Sequence, residues 1–209
     1  MPGDEPTLVE PLENELLRAS FHPSDEGTAL LVRTLRSPEA RHRVLALRGL
    51  VRLSLMTNAL WREVLKDVDV DVRRDALQQL AHSELEDASL LDDVIAMLDE
   101  DDALVVDAAA FALSEHLYVP AVVPLCITAG EHDDARCRES AIASLGAIGD
   151  DRARATIIAA LQDKPPIRRR AVVALSNFEG PDIDAALEEA GEDKDWQVRS
   201  AVAQLRDDE

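Results

Sequence analysis

The chain has 209 residues, of which 46% are hydrophobic and 3% aromatic, and its net charge is −20. Its 42 acidic residues outnumber 22 basic ones, which argues against nucleic acid and anionic membranes as partners, because phosphate groups are bound mainly by Lys and Arg. Two cysteines, Cys126 and Cys137, are too few for a disulfide framework. No signal peptide and no apolar run long enough to span a membrane are recognisable, so we expect a reduced, cytoplasmic protein.

The acidity allows two interpretations. Only three of the 22 basic residues are lysine, and an acid-rich, lysine-poor composition is typical of proteins from salt-loving archaea. Arginine in place of lysine also follows from a GC-rich genome. The acidic residues either keep the surface solvated in high salt or form a field that attracts a basic protein partner at low salt.

The predicted elements follow one another as helices from the start of the chain. Residues 1–7 are mostly polar and are expected to form a flexible tail. Helical spacing of apolar residues predicts a helix over about 8–20 and a second over about 28–35, which together form a degenerate pair over about 8–36. A helix at about 196–206 is expected to cap the other end. Five full repeats are predicted between them, at about 38–66, 69–99, 101–132, 133–163 and 165–192.

A period of about 31 residues connects these repeats. Each copy has an arginine, a small or apolar residue three positions later, and a leucine four positions after that. The copies are Arg43-Ala46-Leu50, Arg73-Ala76-Leu80, Val106-Ala109-Leu113 (which lacks the arginine), Arg138-Ala141-Leu145, Arg168-Ala171-Leu175 and the truncated Arg199-Val202. Self-similarity at this period indicates a solenoid, in which each helix pair is buried against its neighbours.

The repeat at 133–163 shows the pattern most clearly. Its first helix is predicted from Ala135 to Ile148, with one apolar stripe facing inward. Gly149 is expected to close this helix, and Asp150 to cap a second helix from about Arg152 to Gln162. In the preceding repeat, Pro124 is predicted to open the second helix, because a proline near a helix start loses no hydrogen bond.

The stretch GDDRARATIIAALQD, residues 149–163, resembles the HEAT repeat of the phycobilin-lyase type. In that family the turn and second helix read roughly GDPRAVPALIEALKD, after a helix that reads VRxxAAxALG. Residues 72–77, VRRDAL, and residues 120–125, PAVVPL, are similar to other parts of the same pattern. The resemblance covers about residues 25–206. It implies an all-α fold, a right-handed α-solenoid of HEAT-like helix pairs with about thirteen helices, forming a single domain over residues 8–209.

The resemblance also implies a structural role for the repeated arginines. In similar repeats this arginine lies near the start of the first helix and meets an aspartate of a neighbouring turn. Candidate partners are Asp67 or Asp69 for Arg73, Asp133 or Asp134 for Arg138, and Asp195 for Arg199. We expect this ladder of ion pairs to fix the stacking register, and its members are Arg43, Arg73, Arg138, Arg168 and Arg199.

Some members of the family are enzymes, and their signatures are absent or altered here. The deoxyhypusine hydroxylases bind two irons through His-Glu dipeptides, whereas this chain has the reversed Glu115-His116 and Glu131-His132. A bilin lyase needs a pigment groove, for which this chain is poor in aromatic residues, and the DNA glycosylases need a basic surface. The histidines lack the close pairing of zinc ligands, so we expect no metal and no cofactor. They are His22, His42, His82, His116 and His132.

Two tryptophans remain. Trp61 falls where the second helix of a repeat carries an inward leucine, and we expect it in the core. Trp196 begins the last helix, where it either caps the array or forms part of a small patch for a partner.

The predicted function is therefore a non-catalytic scaffold or adaptor, monomeric itself, that binds another protein on an acidic concave face. The partner is expected to present a basic helix or an arginine-rich segment. A taxis-signalling adaptor is one version of this hypothesis, and an enzyme or lyase subunit of the family is the alternative. The second-helix positions predicted to contact the partner are Asp92, Asp93, Asp99, Thr128, Glu131, Thr156, Gln162, Asp184 and Glu188.

Overall fold

The computed structural model describes residues 12–85 and 87–207, and all regular secondary structure in these ranges is helical. The predicted tail over residues 1–7 and the predicted helix start at Leu8 lie outside the described residues. Thirteen α-helices lie within the described ranges, which confirms the predicted all-α fold and helix count. They are α1 (Leu12–Phe21), α2 (Asp25–Thr34), α3 (Ala40–Arg52), α4 (Asn58–Leu65), α5 (Val70–Leu80), α6 (Leu90–Ala96), α7 (Ala103–Glu115), α8 (Val122–Glu131), α9 (Ala135–Ile148), α10 (Arg154–Ala159), α11 (Pro165–Leu175), α12 (Pro181–Ala190) and α13 (Trp196–Asp207).

Helix α9 shows why the repeat pattern forms a helix pair. Its first turn is capped by Asp134, whose carboxylate accepts the N–H of Arg136 at 2.7 Å. It ends at Gly149, whose φ of 69° lies in the left-handed region that glycine adopts without steric cost. Asp150 then accepts the N–H of Arg152 at 3.0 Å and starts the second helical segment. That segment runs through a 3-10 turn, α10 and a second 3-10 turn that ends at Gln162.

Two predicted helix starts are wrong by a few residues. Helix α2 begins at Asp25 rather than Thr28, because the hydroxyl of Ser24 accepts the N–H of Gly27 and caps the helix. The helical segment that contains α8 begins before Pro124, with a 3-10 turn over Val119–Ala121. Prolines are tolerated in the first turn of a helix, and here Pro120 takes that place.

The described residues form two compact units that divide between Gln79 and Leu80. In the first unit, α1 packs against α2 and α3, and α2 also packs against α3. The core of this unit is almost entirely aliphatic, as the composition requires. Trp61 in α4 is 2% exposed and belongs to this core, where it was predicted to lie.

In the second unit, the first helices of successive repeats stack on one another in the order α7, α9, α11 and α13. The second helices fill the spaces beside them: α8 packs on α9, α10 on α9 and α11, and α12 on α11 and α13. Helices α9 and α11 approach closely at Gly146, where an added Cβ would lie 2.6 Å from the Cβ of Ala174. None of the helices described is both long enough and apolar enough to cross a membrane.

Candidate functional site

The repeated arginines bind aspartates in the turn that separates their own repeat from the next helix pair or cap helix. Arg138 donates two hydrogen bonds to the carboxylate of Asp163, from Nε to Oδ2 at 2.7 Å and from Nη2 to Oδ1 at 2.9 Å. Arg168 binds Asp193 in the same way, with both distances 2.8 Å. In the first unit, Arg43 binds Asp67 with both distances 2.7 Å. Paired bonds of this kind are stronger and more directional than a single contact between exposed charges.

Each of these aspartates also accepts a bond from the next arginine along the chain, through its main-chain carbonyl. Arg168 Nη1 lies 2.9 Å from the carbonyl oxygen of Asp163, and Arg199 Nη1 lies 2.6 Å from that of Asp193. Arg73 Nη1 lies 2.9 Å from the carbonyl oxygen of Asp67. One aspartate therefore joins the arginines of two consecutive repeats.

The carboxylate partner expected for Arg138 was wrong. Its own turn offers only main-chain carbonyls, those of His132 at 2.8 Å and Asp133 at 3.1 Å. The carboxylate comes from Asp163, 25 residues later in the chain. For Arg199, likewise, the side-chain bond goes to the carbonyl of Asp193 and not to the expected Asp195.

These ion pairs change the acidity of their members. The hydrogen bonds from Arg138 lower the pKa of Asp163, and those from Arg168 lower the pKa of Asp193. The same bonds raise the pKa of both arginines. The charged forms are thus favoured on both sides, and Arg168 is buried. Because these arginines and aspartates are bonded to one another in the packing between repeats, they have little capacity to bind a ligand.

The ladder is interrupted between the repeats at 101–132 and 133–163. Val106 occupies the arginine position and is fully buried. His132 lies six residues before the next arginine, as Asp193 does. Its Nδ1 accepts the N–H of Asp134 at 3.0 Å, just as Asp193 accepts the N–H of Asp195 at 2.7 Å. His132 therefore caps this turn in the way that Asp193 caps its own. The arginine that would bind a carboxylate at this position is replaced by Val106.

The residues predicted to contact a partner lie on the second helices of the second unit. We call the exposed side chains of α6, α8, α10, α12 and their adjoining 3-10 turns the second-helix face. Most of the predicted residues are exposed there, while Asp93 and Thr156 are half-buried. The exposed ones are Asp92, Asp99, Glu131, Gln162, Asp184 and Glu188. Their contact with a partner stays a prediction.

Thr128 was assigned wrongly to this face. It is only 7% exposed, and its hydroxyl donates to the carbonyl of Pro124 at 3.2 Å, within α8 itself. A threonine whose hydroxyl is satisfied by the preceding turn can be buried at little cost. The exposed residue at this level is its neighbour Ile127.

Sequence reasoning missed an apolar row on the second-helix face. Val119, Val123 and Ile127 are 44%, 53% and 54% exposed, and we call these three residues the apolar stripe. Their spacing of four places them one above another on the helical segment of α8. Glu131, exposed one turn later, continues the same row. The spacing is visible in the sequence, but it identifies an outward row only once the phase of the helix is known.

Two further features were singled out in the sequence. Trp196 is 67% exposed and lines a groove of about 420 Å³ between α11 and α13, together with Arg169, Arg170 and Val173.

His82 Nδ1 lies 3.6 Å from the Oε2 atom of Glu115, and His116 Nε2 lies 3.0 Å from the carbonyl oxygen of Leu80. Within the described residues, no group of three His, Cys, Asp or Glu could hold a metal ion.

Several solved structures share this fold. An X-ray structure of the Escherichia coli protein YIBA_ECOLI matches with a TM-score of 0.61 and 19% identity, over 90% of this chain and 71% of that one. A designed armadillo repeat protein in complex with the peptide (KR)4 matches with a TM-score of 0.62 and 16% identity, over 85% and 97%. Armadillo repeat proteins computationally designed for modular peptide recognition match with a TM-score of 0.55 and 15% identity, over 85% and 97%. At these identities the likeness concerns the fold alone.

The sequence itself also matches a family model. No curated protein matches this chain, but the model described as HEAT repeats matches residues 92–176 and residues 119–206. These two overlapping matches cover more than half of the chain, including α7 to α13 and the ladder from Arg138 to Arg199. Together with the stacked helix pairs, they show that this chain belongs to the HEAT-repeat family.

Proposed function

We propose that this chain is a non-catalytic scaffold that binds a basic segment of another protein on its second-helix face. The observation that carries the proposal is the charge of that face. Helices α6, α8 and α12 contain acidic residues but no lysine or arginine. Arg154 of α10 is engaged with Asp151 and Asp182, each at 3.0 Å, and Arg152 of the adjoining 3-10 turn is engaged with Asp150 at 2.7 Å. A surface on which acidic residues outnumber basic ones in this way attracts a basic partner and repels acidic ones.

The structural neighbours support this proposal by analogy. One of them, a designed armadillo repeat protein, was solved with a peptide of alternating Lys and Arg. A stack of helix pairs presents a long row of side chains, and such a row is suited to reading an extended or helical peptide. The ladder arginines are occupied by Asp163 and Asp193, so they do not neutralise the second-helix face.

Binding of a labelled (KR)4 peptide, followed by fluorescence anisotropy, tests the proposal. We expect binding at low salt that weakens as salt is added, because exposed charges are screened within about 10 Å at 0.1 M. A variant with Asp92→Asn, Asp184→Asn and Glu188→Gln should bind more weakly. The matched control neutralises three exposed acids outside the helices, with Glu84→Gln, Asp101→Asn and Glu192→Gln.

The control separates a local surface from net charge. Both triple variants change the net charge by the same amount, so a general attraction would weaken equally in both. Equal weakening, or no binding of (KR)4 by the unmodified protein at low salt, would contradict the proposal. The enzyme alternative predicts instead a bound metal or chromophore in the purified protein, which metal analysis and an absorption spectrum would detect.

The finer sequence-based predictions belong to the same proposal. We propose that the repeats are of the phycobilin-lyase type, from the resemblance of residues 149–163, and that the protein is a cytoplasmic monomer. Light scattering coupled to gel filtration gives the molar mass directly. A mass near 22.9 kDa would support the monomer, and twice that value would overturn it.

A further inference from the structure

The negative charge of the chain is concentrated in one segment of the second unit. Residues 80–135 contain fourteen Asp and Glu and no Lys or Arg. Residues 136–209 contain fifteen acidic and eleven basic residues, and residues 1–79 contain thirteen and eleven. Acidity that served only to solvate the protein would be spread over the whole surface. The concentration in 80–135, which we call the acidic segment, indicates a local purpose.

The apolar stripe lies within this acidic segment. Val119, Val123 and Ile127 are each about half exposed, although α8 has a buried side on which Leu125 is fully covered. At 1.5 Å per residue the stripe is about 12 Å long, which equals a little more than two helical turns. Scattered exposed apolar residues are common, but an aligned row of three is typical of a contact surface.

Acidic side chains lie around the stripe. At its start, the hydroxyl of Tyr118 donates to Asp92 at 2.7 Å and holds that carboxylate beside the first turn. At its end, Glu131 follows Ile127 by one turn. Asp99 ends the 3-10 turn that packs against α8 on the α6 side. On the α10 side, the exposed residues of α10 itself are the small Ala155 and Ala159, which leave Val123 and Ile127 uncovered. At the start of the stripe, Arg152 donates to the carbonyl oxygen of Val119 at 3.3 Å, and its charge is paired with Asp150 at 2.7 Å.

We propose that the apolar stripe docks the apolar face of a cationic amphipathic helix from a partner protein. This inference rests on the proposed function and adds what the basic segment must contain. Apolar residues spaced three and four apart would pack on Val119, Val123 and Ile127. Lys or Arg on the flanks of the same helix would meet Asp92, Asp99 and Glu131. An amphipathic helix that binds an apolar surface contacts it through apolar side chains at this spacing.

The negative charge of the acidic segment favours a cationic amphipathic helix over the other possible binding partners. A second copy of the chain would bring its own acidic segment against this one, and like charges across an interface are unfavourable. Nucleic acids and anionic lipid surfaces are repelled for the same reason. A purely polar basic peptide would satisfy the acids but leave the stripe exposed to water. A cationic amphipathic helix satisfies both the charges and the apolar row.

The test compares three peptides on the full-length protein by isothermal titration calorimetry. The first is a Leu/Lys peptide with leucines at helical spacing, the second a scramble of the same composition, and the third (KR)4. We expect the amphipathic peptide to bind at least about tenfold more tightly than either of the others, a difference that burial of a single apolar side chain would already give. The double variant Val123→Ser, Ile127→Ser should remove this advantage and keep the binding of (KR)4.

The matched control is Val173→Ser, which changes a valine 46% exposed on α11, outside the second-helix face. It should keep the tenfold preference. Equal affinity for the amphipathic and scrambled peptides, or a preference unchanged in the double variant, would overturn the inference while the binding of (KR)4 still upheld the proposed function. Failure of all three peptides to bind would overturn both. The peptide comparison requires no variant, so it stands even if a substitution impairs folding.

Discussion

Arg138 and Asp163 lie 25 residues apart in the chain and form a two-point ion pair with hydrogen bonds of 2.7 and 2.9 Å. The pair joins the start of one repeat to the turn that precedes the next. Because Asp163 also accepts a bond from Arg168 through its carbonyl oxygen, a single residue contacts two successive first helices. The stacking register of α9 on α11 is thereby fixed by this ion pair and by the bond to the carbonyl oxygen, as well as by apolar packing.

The first prediction concerns the stability that this pair contributes. Asp163→Ala leaves the guanidinium of Arg138, whose side chain is 14% exposed, without its carboxylate. We expect the free energy of unfolding to fall by about 1–3 kcal/mol, the usual cost of an unsatisfied buried polar group. The control is Asp151→Ala, which removes a carboxylate 85% exposed from a pair with Arg154 and should cost less than about 1 kcal/mol. Urea denaturation of both variants measures the difference, and equal losses would contradict the prediction.

The second prediction concerns acid. Hydrogen bonding to Arg138 lowers the pKa of Asp163 below its ordinary value of 3.8. A carboxylate whose pKa is lower in the folded state stabilises the fold above the ordinary pKa, and this contribution is lost as pH falls through the folded value. The stability difference between the natural protein and Arg138→Met should therefore be largest above pH 3.8 and shrink below it. Urea midpoints over a pH series would measure it, and a constant difference would argue against the ion pair as its source.

The third prediction uses two glycines within helices. Gly146→Ala places a Cβ 2.6 Å from that of Ala174 and should destabilise the protein by about 1–3 kcal/mol, because α9 and α11 must move apart. Gly130→Ala in α8 meets no atom within 4 Å and should stabilise by up to about 1 kcal/mol, since alanine favours helices. Thermal unfolding followed by circular dichroism distinguishes the two. Changes of the same sign would contradict the close approach of α9 and α11.

The fourth prediction concerns the two thiols. Burial raises the pKa of Cys137 to about 11, and its Sγ lies 3.5 Å from the carbonyl oxygen of Ala103. Cys126 is half-buried on α8. Since the thiolate is the reactive form, a thiol reagent near neutral pH should label Cys126 first and leave Cys137 unmodified in the folded protein. Mass spectrometry counts the labels, and unfolding in urea should expose both thiols. Labelling of Cys137 first would contradict its placement in the core.

The sequence predicts the helices better than it predicts their contacts. Helix α9 forms over the predicted residues, because its apolar stripe and its closing glycine, Gly149, are both local signals. The bond between Arg138 and Asp163 was not predicted, because a carboxylate 25 residues away is brought near only when α9 and α11 stack. Local signals fix where a helix begins and ends, and tertiary packing decides which side chains meet.

Helix α8 shows where the hydrophobic pattern fails. Apolar residues occur on several of its sides, so the pattern does not reveal which side faces inward. The alignment of the repeats then assigns Thr128 outward, whereas Thr128 is buried and Ile127 is exposed. The same ambiguity prevented the prediction of the apolar stripe. Sequence-based reasoning assumes that apolar residues face the core, and an exposed apolar row breaks this rule.

The interruption at Val106 and His132 has a consequence for how such an array can change by duplication. In the ladder, the arginine near the start of a repeat binds the aspartate of the turn that follows that repeat's second helix, so the two residues must match each other. An arginine-bearing repeat placed before the His132 turn would lack its carboxylate, and a repeat bearing Val106 placed before Asp163 would lack its guanidinium. Val106 and His132 both lie in the repeat at 101–132, so duplication of this whole repeat copies both halves of the interruption, whereas a recombination point between the two residues separates them.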